Sequence, residues 1–165
     1  MNARTVNFAC ALACFGLVAY ALYTQHYQGQ DPCPLCMFQR VGIIALGIVF
    51  TLAALAALAG SLRLAVARSI AVLIGLTALA TAAIAIRHLY IQSLPEGSVP
   101  VCGATLDYMI DVFPMLDVIR KVLTGSGECA RITWQFLGLA MPAWVLIWSL
   151  LLGAVGATAN WRRAV

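Results

Sequence analysis

The chain alternates between long apolar runs and short polar interruptions, and four of the runs stand out, at residues 6–23, 41–60, 69–86 and 136–159. The first holds only Asn7 as a clearly polar side chain, the second has no charge, and the third is rich in Ala and Leu. The fourth carries Pro142 near its start, where a missing N–H costs a helix least. Roughly 20 apolar residues cross about 30 Å of hydrocarbon, and a helix pairs every backbone group within itself. The pattern predicts four spanning helices joined by a short loop over 24–39, a tight turn near 61–68 and a long loop over 87–135. The first run is longer than the roughly 7–15 apolar residues of a signal peptide, and the small-x-small stretch Ala19-Tyr20-Ala21 lies too deep inside it to serve as a cleavage site. It reads as a retained span.

The long loop has a pattern of its own. Between Leu106 and Leu123, apolar residues fall at 106, 109, 110, 113, 116, 119 and 123, which is helical spacing. Pro114 would break one continuous helix, so two short amphipathic helices meeting near Phe113 are expected. Two placements stand open: flat in the headgroup region with the apolar side down, or packed as a hairpin on the bundle. Thr124-Gly125-Ser126-Gly127 then supplies a flexible joint.

Composition agrees with the pattern. Hydrophobic residues make up 63% of the chain and charged ones 10%, with a mean hydropathy of +0.95. A soluble domain carries about a quarter charged residues, so a soluble enzyme or nucleic-acid binder is excluded, and so is disorder. The net charge of +4 is small and scattered. The expected class is an all-α membrane protein, a four-transmembrane-helix bundle. Four spans place both termini and the 61–68 turn on one side, with Arg4, Arg63, Arg68, Arg162 and Arg163 and no acid. Arg40, Arg87, Arg120, Lys121 and Arg131 lie on the other side among six acids. Raw counts of basic residues tie, but their density in short flanks makes the termini the cytoplasmic side.

Six cysteines carry the candidate chemistry. Cys10 and Cys14 share a helical face inside the first span and read as small buried residues. Cys33, Cys36, Cys102 and Cys129 all lie in the two loops on one side, which points to an oxidising compartment. Cys33-Pro34-Leu35-Cys36 is a CxxC at the mouth of the second span. Zinc would want a second close pair, and Cys102 and Cys129 are far apart in sequence, so no metal is expected. A structural bridge closing so small a loop removes little chain entropy, which favours exchange chemistry. Cys36 would stand at a helix N-terminus, where free N–H groups and the macrodipole favour a thiolate. Arg40, one turn on, either snorkels to the boundary or holds an anion at Cys36 or on a bound electron acceptor. Cys102 and Cys129 form a second candidate pair, open to two readings: a static clamp, or one end of a thiol–disulfide relay. His88, beside Arg87, reads on its own as an interfacial side chain.

The run Cys33-Pro34-Leu35-Cys36-Met37-Phe38-Gln39-Arg40, a CxxCxxxR opening the second of four spans, resembles the DsbB family of bacterial inner-membrane disulfide bond formation proteins. The resemblance continues through Gly127-Glu128-Cys129-Ala130 and the stretch Trp134-Gln135-Phe136-Leu137-Gly138-Leu139-Ala140-Met141-Pro142-Ala143-Trp144, with Gln25-His26, His88, Gln92 and Pro95 also in register. It implies a four-helix bundle in the inner membrane, with cytoplasmic termini and periplasmic redox loops. It also implies reoxidation of a periplasmic DsbA-type thiol oxidase and delivery of electrons to ubiquinone or menaquinone. By position, Cys102 would take the partner's attack, Cys129 would pass the oxidation on from Cys33, Cys36 would face the quinone, and Arg40 and His88 would bind it. The position before Arg40 is acidic in some members and is Gln39 here, so no role carries onto it. A vitamin K epoxide reductase-like enzyme and a non-catalytic scaffold with two structural disulfides are the competing expectations.

Overall fold

The computed structural model describes residues 2–58, 64–95, 106–125 and 127–162. Arg63, Glu96, Cys102, Ser126 and Arg163, all used above, lie outside the described residues. The bundle consists of α1 (Ala3–Gln28), α2 (Pro34–Leu58), α3 (Leu64–Gln92) and α7 (Met141–Arg162). These helices of 26, 25, 29 and 22 residues are about 33–44 Å long at 1.5 Å per residue, enough to cross a bilayer and emerge from it. Each extends past the apolar run that predicted it at one end or both, because polar residues near the boundary continue the helix.

Many leucines point outward, and small residues line the helix contacts. Leu12, Leu52, Leu76 and Leu79 are all more than half exposed, whereas Ala53, Ala71, Ala78, Ala82 and Ala85 are buried. Lipid is as apolar as leucine, so packing rather than hydrophobicity drives the helices together, and small side chains allow close approach. A Cβ at Gly153 would stand 2.5 Å from the Ala78 side chain, and one at Gly156 would overlap the Phe50 ring. The helices are thus arranged in the cyclic order α1, α2, α3, α7, with α3 against α7 and α1 against α2 as the broadest contacts. At the end of the bundle where the termini lie, Asn7 and Asn160 exchange amide hydrogen bonds of 3.0 and 2.8 Å, fully buried. Among the described residues every buried side-chain nitrogen and oxygen has a partner.

The long loop holds α4 (Leu106–Val112), α5 (Met115–Thr124) and a single turn, α6 (Gly127–Ala130). The break falls at Phe113-Pro114, as the proline requires. Val118 and Val122, one turn apart, bury themselves on the bundle beside Leu35, Ile91 and Cys129, while Met115 and Leu116 stay exposed. Arg87 on α3 donates through Nε to the Leu123 carbonyl at 2.8 Å and through Nη2 to that of Thr124, satisfying carbonyls that the helix end leaves open. Gly125, at φ +87°, lies so close to Ile91 that a Cβ there would stand 2.5 Å from its Cδ1.

One expectation needs correction. The fourth helix starts at Met141, not near Phe136. Leu137 and Gly138, both at positive φ, make a tight turn that pairs β1 (Gln135–Phe136) with β2 (Leu139–Ala140), the twist that two-residue hairpins favour. Apolar side chains on both arms hid the turn inside a hydrophobic run.

Candidate functional site

Pro34 opens α2, where its fixed φ suits the first helical position. Cys33 stands just before it, and its Sγ accepts the Cys36 amide N–H at 3.3 Å, the role a serine hydroxyl plays at a helix cap. The two sulfurs are 2.9 Å apart, and their surroundings overlap only in part.

Cys33 faces α3 and α6. Its Sγ lies 3.7 Å from His88 Nε2 and in contact with the Cys129 thiol, inside a buried cluster with Leu35, Ile91 and Val122. The Cys129 contact favours a thiolate at Cys33, but the contact with Cys36 and burial outweigh it and hold the Cys33 thiol up at about 12. In the dithiol state the proton therefore stays on Cys33. His88, 2% exposed, is bonded at both ring nitrogens, 3.1 Å from Gln39 Nε2 and 3.1 Å from the Cys129 carbonyl oxygen.

Cys36, packed against the same cluster, also lines a cleft of about 460 Å³ between α1, α2 and α7. This lies within the roughly 300–1,000 Å³ of small-molecule sites. Its wall is aromatic: Tyr20, Trp134, Phe136 and Trp144 follow one another with ring centroids 5.8–6.1 Å apart, and Trp148 lies deeper. Trp144 Nε1 donates to the Phe136 carbonyl at 3.1 Å and pins the hairpin to α7. Arg40 also lines the cleft. Its Nη1 donates to Gln25 Oε1 and its Nη2 to the Ala21 carbonyl at 3.0 Å, so α1 holds the guanidinium in place. An apolar cleft with flat rings, the Arg40 guanidinium on its wall and a thiol at its edge suits a flat, apolar molecule with carbonyl oxygens.

Of the residues singled out from sequence, the structure gathers Cys33, Cys36, Cys129 and His88 at one point and sets Arg40 one turn away from it. Cys102 is outside the described residues. His88 does not itself line the cleft but stands behind Gln39 and Cys36, which do. Gln39 carries no role in the sequence, where the resemblance leaves it unassigned, and Gln25, Trp134 and Trp144 stand there only as marks of resemblance. Gln39 lies three positions after Cys36, on the same helical face, and that spacing was its available signal. Cys33, Cys36 and His88 offer ligand atoms within 4.8 Å of one another, but His88 Nε2 is turned to a carbonyl oxygen and must carry a proton there, so its lone pair is not free for a metal.

A four-helix membrane bundle that buries a CxxC against a third cysteine, beside an apolar cleft, defines a membrane-embedded thiol–disulfide oxidoreductase. The family model for disulfide bond formation protein DsbB matches residues 3–159. Disulfide bond formation protein B of Hahella chejuensis is 42% identical over 98% of this chain and 92% of its own length. The proteins of the same name from Methylococcus capsulatus and Acinetobacter baumannii are each 44% identical, over 98% and 92% of this chain and 96% and 87% of their own. The chain belongs to the DsbB family, and its role is that of a membrane disulfide-forming oxidoreductase.

Proposed function

We propose that the protein oxidises a periplasmic DsbA-type dithiol oxidase and passes the electrons to ubiquinone or menaquinone, from an inner membrane in which its termini are cytoplasmic and its redox loops periplasmic. The observation that carries this reading is the position of the CxxC between two partners: Cys33 touches Cys129, and Cys36, in contact with Cys33, lines the aromatic cleft.

The exchange steps follow from thiolate chemistry. A partner thiolate attacks Cys102 of a Cys102–Cys129 disulfide, a mixed disulfide forms, and Cys129 leaves as a thiolate. Cys129 attacks Cys33, the Cys33–Cys36 bond breaks, and Cys36 is left as a thiolate at the cleft. The partner's second thiolate displaces Cys102, which recovers Cys129 and releases Cys33. The net oxidation yields two electrons and two protons, which a quinone takes up on becoming a hydroquinone. Cys36, Arg40 and the aromatic wall would hold that quinone, Arg40 presenting positive charge to a carbonyl oxygen. His88 acts from the Cys33 side.

The test mixes purified protein, reduced partner oxidase and a soluble quinone and follows quinone absorbance. Turnover is expected in the wild type and absent in Cys33→Ser, Cys36→Ser, Cys102→Ser and Cys129→Ser. Full turnover in Cys36→Ser would overturn its assignment as the cleft-facing thiolate.

A further inference from the structure

His88 is bonded at both ring nitrogens, and the chemistry of its partners fixes where its proton lies. The Cys129 carbonyl oxygen, 3.1 Å from Nε2, can only accept, so Nε2 carries the hydrogen. Cys33 Sγ, 3.7 Å from the same nitrogen, shares that N–H. Nδ1 is then the acceptor, and the group facing it at 3.1 Å is the Gln39 amide NH₂, which donates. Gln39 and His88 are each 2% exposed, so water does not compete for either bond. Two short chains of donation thus start on α2 and end on the backbone of α6 and the sulfur of Cys33.

We infer that Gln39 and His88 act as positioning residues that clamp Cys129 against Cys33: the Gln39 amide sets His88 in its Nε2–H tautomer, and that N–H grips the Cys129 carbonyl. The clamp rests on the exchange between Cys129 and Cys33 proposed above for its purpose, but not for its existence. Position 39 decides the ring's state. An amide leaves Nδ1 a lone pair, whereas a carboxylate there would require a second ring proton to keep both bonds. The clamp complements the attachments on either side of it, Arg87 on the end of α5 and Gly125 against Ile91. Those hold the segment near α3, and His88 sets the depth of the cysteine.

Two readouts on the full-length protein in nanodiscs, both independent of turnover, quinone and partner, test the clamp. Long-range ¹H–¹⁵N spectra of histidine-labelled wild type should show His88 protonated at Nε2 with a lone pair on Nδ1; a proton on Nδ1 overturns the inference without any substitution. Second, maleimide labelling of Cys129 in the reduced protein, resolved by mass spectrometry, should be slow in the wild type, where that thiol is 1% exposed. Labelling should rise roughly tenfold in Gln39→Leu and His88→Phe, the factor that one buried hydrogen bond of ordinary strength confers. His88→Gln, which keeps an N–H near the Nε2 position, should recover part of the protection, and Gln39→Glu should retain it while moving the spectrum to that of a doubly protonated ring. Wild-type labelling rates in both Gln39→Leu and His88→Phe, or no recovery in His88→Gln, would refute the clamp.

Discussion

Replacing Arg40 by Met removes the only cation among the described residues that line the cleft, while keeping most of the side chain's length. Two of its five N–H donors are spent on Gln25 and the Ala21 carbonyl, which fix the planar group rather than neutralise it, since both partners are uncharged. The rest can meet a ligand carbonyl. A hydrogen bond with one charged partner is worth about 1.5–3 kcal/mol, so loss of Arg40 should weaken quinone binding roughly 10- to 150-fold. Tryptophan fluorescence measures this directly, because Trp134, Trp144 and Trp148 all line the cleft and a bound quinone would quench them. The titration returns a dissociation constant, avoiding the ambiguity of KM when chemistry is fast. Arg40→Lys should restore only part of the affinity, because an ammonium cannot span both anchors and also face the cleft. Gln25→Leu should cost a few-fold by loosening the guanidinium, about the worth of one net hydrogen bond. Equal dissociation constants in Arg40→Met and wild type would show that the cation does not contact the ligand, and the cleft would lose its assignment.

Other outcomes follow from the same geometry. A free cysteine half-titrates near pH 8.5, but a Cys33 thiol held up at about 12 is only about one part in a thousand thiolate at pH 9, so site-resolved alkylation of Cys33 should stay slow until the pH approaches 12. A rise centred near pH 8.5 would contradict the burial argument. Gly156→Ala drives a methyl group into Phe50 and should destabilise the bundle by about 1–3 kcal/mol, the usual cost of overpacking, visible as a lower Tm in nanodiscs. Cys10 and Cys14 pack with Leu46 and Phe50 far from the redox sulfurs, so the double change to Ala should leave turnover per folded molecule unchanged; loss of activity at normal expression would overturn their assignment as packing residues.

What could be read ahead of the structure follows from which interactions are local. Apolar runs set the helices because the backbone must pair within each segment, and Pro114 set the break between α4 and α5 because a ring cannot fit inside a helix. Cys36 in the first turn of α2, with Arg40 on the same face, followed from spacing alone. The partners of His88 did not, because they come from residues 39 and 129, and nothing near residue 88 names them. The Leu137-Gly138 turn escaped notice because hydropathy does not register backbone handedness when the flanking residues are all greasy. The inward-facing alanines and glycines left no amphipathic stripe, since lipid and neighbouring helix are equally apolar.

The place of Cys36 between the Cys33 cluster and the cleft has a consequence for how such a molecule can change over time. Cys33 is held by α3 and the long loop, and Cys36 shares that packing while also meeting a wall built by α1, α7 and the hairpin. Under the relay proposed above, substitutions on the cleft wall away from Cys36 retune the fit of an oil-borne acceptor without touching Cys33 or Cys129. The short first turn of α2 works as a doorway two atoms wide, and lineages can refurnish the room on the cleft side while the other stays as it is.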